Sequence, residues 1–107
     1  MTKAIQVHEY GGPEVCSYDD IDVGAPGEGQ VRLKHTAIGV NYLDIYQRSG
    51  THKFDEVPKV IGMEGAGVVT EVGPGVDDVK VGDRVCYHAI LGSYSEERLA
   101  PAARLIP

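Results

Sequence analysis

Gly62-Met63-Glu64-Gly65-Ala66-Gly67-Val68-Val69-Thr70-Glu71-Val72-Gly73 is the stretch that decides how this chain folds. From Gly65 to Val72, β-branched residues follow glycines that let neighbouring backbones approach closely, the composition of a strand. Gly73-Pro74-Gly75 turns the chain, and Val81 to Tyr87 begins as a turn and runs into another strand. Upstream, Gln30 to Val40 is the clearest strand: Val31, Leu33 and His35 share one face, Arg32, Lys34 and Thr36 the other. Ala4 to His8 and Val15 to Val23 read as two more, parted by Gly11-Gly12-Pro13. Downstream, Gly92 to Ala100 and Arg104 to Ile106 complete the set. With 14 glycines and 6 prolines punctuating short alternations, the expectation is a mainly β barrel or sandwich in one domain over residues 1–107.

The alternation breaks once. Asn41-Tyr42-Leu43-Asp44-Ile45-Tyr46-Gln47-Arg48 has no strand pattern. Asn41 suits an N-cap and Gly50 a C-terminal stop, so a short helix is expected here, followed by an exposed loop over residues 51–59. Asn41, Asp44 and Arg48 recur at spacings of three and four and therefore share a helix face, with Tyr46 close by.

Bulk properties exclude several classes. The net charge is −6 and the pI about 5.0, which disfavours nucleic-acid binding. Asp19, Asp20 and Asp22 read as a solvated strand edge. Cys16 and Cys86, far apart and with no secretory leader before them, fit a reducing compartment and pack as small apolar side chains. No apolar run is long enough for a membrane span, so a cytoplasmic protein is expected. The apolar end Leu105-Ile106-Pro107 carries the expectation that more chain follows.

Motifs for chemistry are sparse. There is no Gly-x-Gly-x-x-Gly dinucleotide fingerprint, no phosphate-binding loop and no Cys-x-x-Cys. What the sequence offers is an ordered set of blocks: Gly12-Pro13-Glu14-Val15, Gly39 to Gly50, Gly62 to Gly73, Val81 to Val85, and Gly92-Ser93-Tyr94-Ser95-Glu96. Together they resemble the quinone oxidoreductase branch of the medium-chain dehydrogenase/reductase superfamily over nearly the whole chain.

That resemblance implies a GroES-like, partly open β-barrel with one or two short helices, forming the amino-terminal catalytic-type domain of an NADPH-dependent enzyme. The Rossmann domain that holds most of the cofactor lies outside this sequence. Where the zinc alcohol dehydrogenases of the superfamily carry a cysteine and a histidine, this chain has Asn41 and Met63. An amide is a poor zinc ligand and a thioether suits softer metals, so no zinc is expected and Glu64 is read as a hydrogen-bonded residue under the cleft. The resemblance further implies that Asn41, Tyr42, Asp44 and Tyr46 contact the cofactor. It puts Arg48 and His52 near a quinone entrance, and has Tyr46 and Arg48 stabilise charge developing on the quinone oxygen. His8, His35 and His88 are assigned no chemistry.

Alternatives stay open. A zinc-free enone or enoyl-thioester reductase of the same superfamily would share the site. A non-catalytic chaperonin-10-like binding or assembly module would share the fold alone. An apolar face left by the missing domain points to a homodimer as the expected assembly.

Overall fold

The computed structural model describes residues 2–51 and 57–107. Seven strands and one α-helix follow in the order β1 (Thr2–Val7), β2 (Cys16–Ile21), β3 (Gln30–Ile38), α1 (Tyr42–Ser49), β4 (Lys59–Val60), β5 (Glu64–Val72), β6 (Arg84–His88) and β7 (Glu97–Pro101). Single 3-10 turns occupy Pro13–Val15 and Ala102–Arg104. The strands form two antiparallel sheets, ordered β2-β1-β4 and β6-β5-β3-β7. They do not close into one continuous ladder, so the mainly β, partly open architecture expected from the sequence is what the chain adopts.

The core lies in the four-stranded sheet. Val31 and Leu33 of β3, Val69 of β5, Val85 and Tyr87 of β6 and Ala100 of β7 are buried there, with Val79, Ala102 and Leu105. Each aliphatic side chain taken fully out of water contributes about 1.5–3 kcal/mol. The period-two pattern of β3 is the cause: its two inward residues are buried while Lys34 on the opposite face is exposed. At Gly67 a side chain would run into the backbone of Lys34, so the β3–β5 approach depends on glycine at that position. Register shifts between Arg32 and Leu33 and between His35 and Ala37 bend the pair.

The segment between β6 and β7 joins the sheets. Ile5 N–H donates to Tyr94 O (2.8 Å) and Glu96 N–H to Lys3 O (2.9 Å) on one side; His35 N–H donates to Glu96 O (2.8 Å) on the other. These bonds to two sheets explain why the strand expected from Gly92 begins only at Glu97. Lys59–Val60 pairs with β1, so a strand begins at the last residue of the stretch 51–59 read as a loop. The expected final strand is a 3-10 turn followed by one bridge from Ile106 to Cys86. Cys86 departs from expectation too: it sits on the outward phase of β6 and is exposed, while Cys16 is half-buried. Asp19 and Asp20 lie on the edge strand β2, paired with His8 (2.8 Å) and Lys3 (2.9 Å).

One polar network enters the core. His35 Nδ1 lies 2.7 Å from Ser95 O, and its Nε2 lies 2.7 Å from the Tyr87 hydroxyl. A carbonyl can only accept, so Nδ1 carries the proton and the neutral ring accepts the Tyr87 hydroxyl at Nε2. Arg98 donates to the same hydroxyl (3.3 Å) and to Ile90 O (3.0 Å). Burial foremost, with the Arg98 charge beside it, holds His35 below its usual range against the opposing pull of Ser95 O.

Candidate functional site

The site is built around α1. Asn41 is its N-cap, with extended φ −130° and ψ 157°, and Gly50 ends it in the left-handed region at φ 92°. Asn41 and Asp44 form a capping box, in which the Asp44 carboxylate accepts from Asn41 N–H at 3.0 Å. The same oxygen, Oδ2, accepts the Tyr94 hydroxyl at 2.6 Å. Asp44 is only 2% exposed, and its Oδ1 has no partner among the described residues. Burial first, then the hydrogen bond to Asp44, pushes the Tyr94 phenol far above its ordinary range, so it stays a donor.

Two further anchors act on the same side of the helix. Gln47 Nε2–H donates to Met63 Sδ at 3.7 Å. Arg48 Nε–H donates to Gly11 O at 3.2 Å, while Gly11 N–H donates back to Arg48 O at 3.0 Å. Tyr10 packs against Gly50, where a side chain would meet its ring.

The structure therefore divides the residues that spacing had grouped. Asp44 points inward and ties the helix down. Arg48 is half-buried and clasps the β1–β2 connection. Asn41 lies exposed at the helix start, Tyr42 is 78% exposed and Tyr46 is 46% exposed. Val40, Leu43 and Ile45 are exposed beside them, giving an apolar ridge with an amide and two phenols on it. His52 lies outside the described residues.

Glu64 differs from its expected state. Its carboxylate lies against Gly39, beside a cavity of about 360 Å³ lined also by Ile38, Gly65 and Tyr87, and no side chain among the described residues hydrogen-bonds it. Among the described residues no three His, Cys, Asp or Glu side chains come close enough to hold a metal. No helix among them is long and apolar enough to cross a membrane.

Tyr94 is the partner of Asp44 that sequence reasoning missed. Fifty positions separate it from Asp44, and no periodicity reports such a pairing. The Asn41-x-x-Asp44 spacing was legible as a capping box, which accounts for the bond from Asn41 N–H but not for the burial of Asp44.

Comparison with known proteins supplies a frame for this geometry. The alcohol dehydrogenase GroES-like domain matches residues 27–107. The chain is 53% identical to a 2-haloacrylate reductase of a Burkholderia species, over 99% of this chain and 33% of that protein. It is 45% identical to a quinone oxidoreductase of Pseudomonas aeruginosa, over 99% of this chain and 33% of that one. The crystal structure of Escherichia coli quinone oxidoreductase complexed with NADPH superposes with a TM-score of 0.94 at 37% identity, over 99% of this chain and 32% of that one. The chain thus spans about a third of the length of these relatives.

Proposed function

This chain belongs to the alcohol dehydrogenase GroES-like domain family, and from that premise we propose that residues 1–107 are the amino-terminal domain of a zinc-free, NADPH-dependent oxidoreductase that reduces quinones. The observation that carries the reading is the division of α1 into an anchored inner face and an open outer ridge. Asn41 offers both a donor and an acceptor, and Tyr42 and Tyr46 offer flat apolar faces with hydroxyls at their tips. That set suits the carboxamide, ring and ribose of a nicotinamide.

NADPH, when bound, supplies the hydride. The chain's own residues bind and orient. Asn41 and Tyr42 hold the cofactor side of the cleft, and Asp44 acts beneath them. Tyr46 hydrogen-bonds the ribose or the acceptor carbonyl. Arg48 keeps further guanidinium donors after Gly11 takes Nε, and with Tyr46 it stabilises charge on the acceptor oxygen. His52 lies near the acceptor entrance. Asn41 and Met63 leave Glu64 without the partners a catalytic zinc needs. The exposed apolar ridge suits burial against a second, cofactor-holding domain, a homodimer partner, or both. The two free cysteines fit a cytoplasmic, reducing compartment.

A second reading has its own support. The 2-haloacrylate reductase relative shares 53% identity, and reduction of an activated carbon–carbon double bond would use the same ridge and the same hydride donor. The test is NADPH oxidation by the whole protein, followed by its absorbance, with 1,4-benzoquinone and with 2-chloroacrylate as acceptors. Faster turnover of the quinone is expected. Turnover of the haloacrylate alone would replace the quinone reading with the second one, and turnover of neither would sink both.

A further inference from the structure

We propose that Tyr94 is a positioning residue for cofactor binding: its bond to Asp44 locks the first turn of α1, and so fixes Asn41 and Tyr42 where the nicotinamide meets them. This inference rests on the oxidoreductase reading and adds to it a residue that acts through Asp44.

Three observations carry it. The Tyr94–Asp44 separation of 2.6 Å is that of a charge-assisted O–H···O⁻ bond, roughly twice as strong as a neutral one. Asp44 Oδ2 is shared between Tyr94 and Asn41 N–H, so the phenol reaches the helix cap through a single atom. Tyr94 is itself immobilised. Its N–H donates to Ile61 O at 2.9 Å, and its carbonyl accepts from Ile5 N–H at 2.8 Å. Its ring covers Gly62, whose φ of 96° and lack of a side chain leave room for it. The cap of α1 is therefore referred, through Tyr94, to β1 and to the β4–β5 junction.

Without that bond, Asp44 is a buried carboxylate held by one donor. An eight-residue helix has no independent stability, so its first turn would sample other positions, at the end that carries Asn41 and Tyr42. The cofactor would then have to order the turn as it binds, which weakens affinity for it more than for the acceptor.

The test uses the whole protein. Tyr94→Phe keeps the ring over Gly62 and removes only the hydroxyl. The KM for NADPH is expected to rise about fivefold, with little change in the KM for 1,4-benzoquinone. The double variant Tyr94→Phe/Asp44→Asn removes the stranded charge, so its melting temperature should recover toward wild type while the raised KM for NADPH persists. A KM that recovers together with stability, or one that never rises, would overturn the proposal. Amide exchange gives an arm independent of any activity: the Asn41 N–H should exchange about tenfold faster in Tyr94→Phe. An unchanged exchange rate would refute the anchor even in a protein that does not oxidise NADPH. Faster exchange in such a protein would support the anchor, and the oxidoreductase reading alone would fail.

Discussion

Replacing Tyr87 by Phe removes one oxygen from the core and disconnects its polar network at a known point. That hydroxyl donates to His35 Nε2 at 2.7 Å and accepts from Arg98 at 3.3 Å. Arg98 keeps Ile90 O at 3.0 Å, so its loss is partial. His35 Nε2 is left as a half-buried acceptor without a donor, which costs about 1–3 kcal/mol. The size of the effect should depend on pH, and the structure fixes the sign. In the wild-type fold, His35 titrates below its usual value of 6.5, chiefly through burial. Below that pH the unfolded chain binds a proton that the folded chain refuses, so wild-type stability falls as pH drops through 6.5 and levels off below the folded pKa. One group contributes at most about 1.4 kcal/mol per pH unit in that window. A hydroxyl donating to Nε2 favours the neutral ring, and its removal makes protonation easier. The folded pKa of the variant therefore moves back toward 6.5 and its own acid loss shrinks. Urea unfolding at pH 7.5 and pH 5.5, followed by far-UV circular dichroism, reads both effects. The variant should be less stable at pH 7.5, and the gap should narrow at pH 5.5. A gap that is the same at both pH values, or that widens in acid, would refute the assigned proton positions.

Further outcomes follow from the same geometry. Gly62→Ala puts a side chain on a backbone at φ 96° and into Ser93 Oγ and the Tyr94 ring; a loss of about 2 kcal/mol or more should appear as a lowered melting temperature. Leu33→Ala, at a fully buried position of β3, should cost about 2–5 kcal/mol in the same assay. Arg48→Ala gives up both the clasp on Gly11 O and the proposed acceptor-side charge. It should lower stability by about 1 kcal/mol and slow quinone turnover, whereas a stability loss with unchanged turnover would leave Arg48 a purely structural residue. Tyr46→Phe should slow turnover, and unchanged turnover would remove Tyr46 from the chemistry.

How much of this was legible in the sequence varies with the range of the interaction. The strands β3 and β5 were readable because a period-two pattern faces a core on one side: Val31 and Leu33 are buried where the alternation put them. The helix boundaries were readable because Asn41 and Gly50 are local signals, each acting within a few residues. The segment from Gly92 to Glu96 was not, since its alternation was strand-like while its backbone partners lie in two different sheets. Cys86 was misjudged because residue type was weighed ahead of its outward phase on β6. In the site, helical spacing grouped Asn41, Asp44 and Arg48 on one face, whereas Asp44 and Arg48 face protein and Asn41 lies exposed at the helix start, because spacing alone does not say what a helix face meets. The bond from Tyr94 decides it for Asp44, and the clasp to Gly11 for Arg48.

The anchors of α1 share a logic that bears on what the helix is for. Asp44 is held by Tyr94, Gln47 by Met63 and Arg48 by Gly11, so the first turn of the helix is tied to one part of the chain and the last turn to two others. A helix this short owes its order to such contacts rather than to its own propensity. Burying polar groups to obtain that order has a cost: Asp44 Oδ1 and Gln47 Oε1 are buried with no partner among the described residues. Stability alone would be better served by apolar residues at those positions. A rigid outer ridge is what the arrangement gains, because Tyr42 and Tyr46 ride on a helix whose position is fixed from beneath. Preorganisation of that kind matters where a ligand must be met in one orientation. The polar underside of α1 therefore supports a binding role for its exposed face more strongly than the exposure of Tyr42 and Tyr46 does by itself.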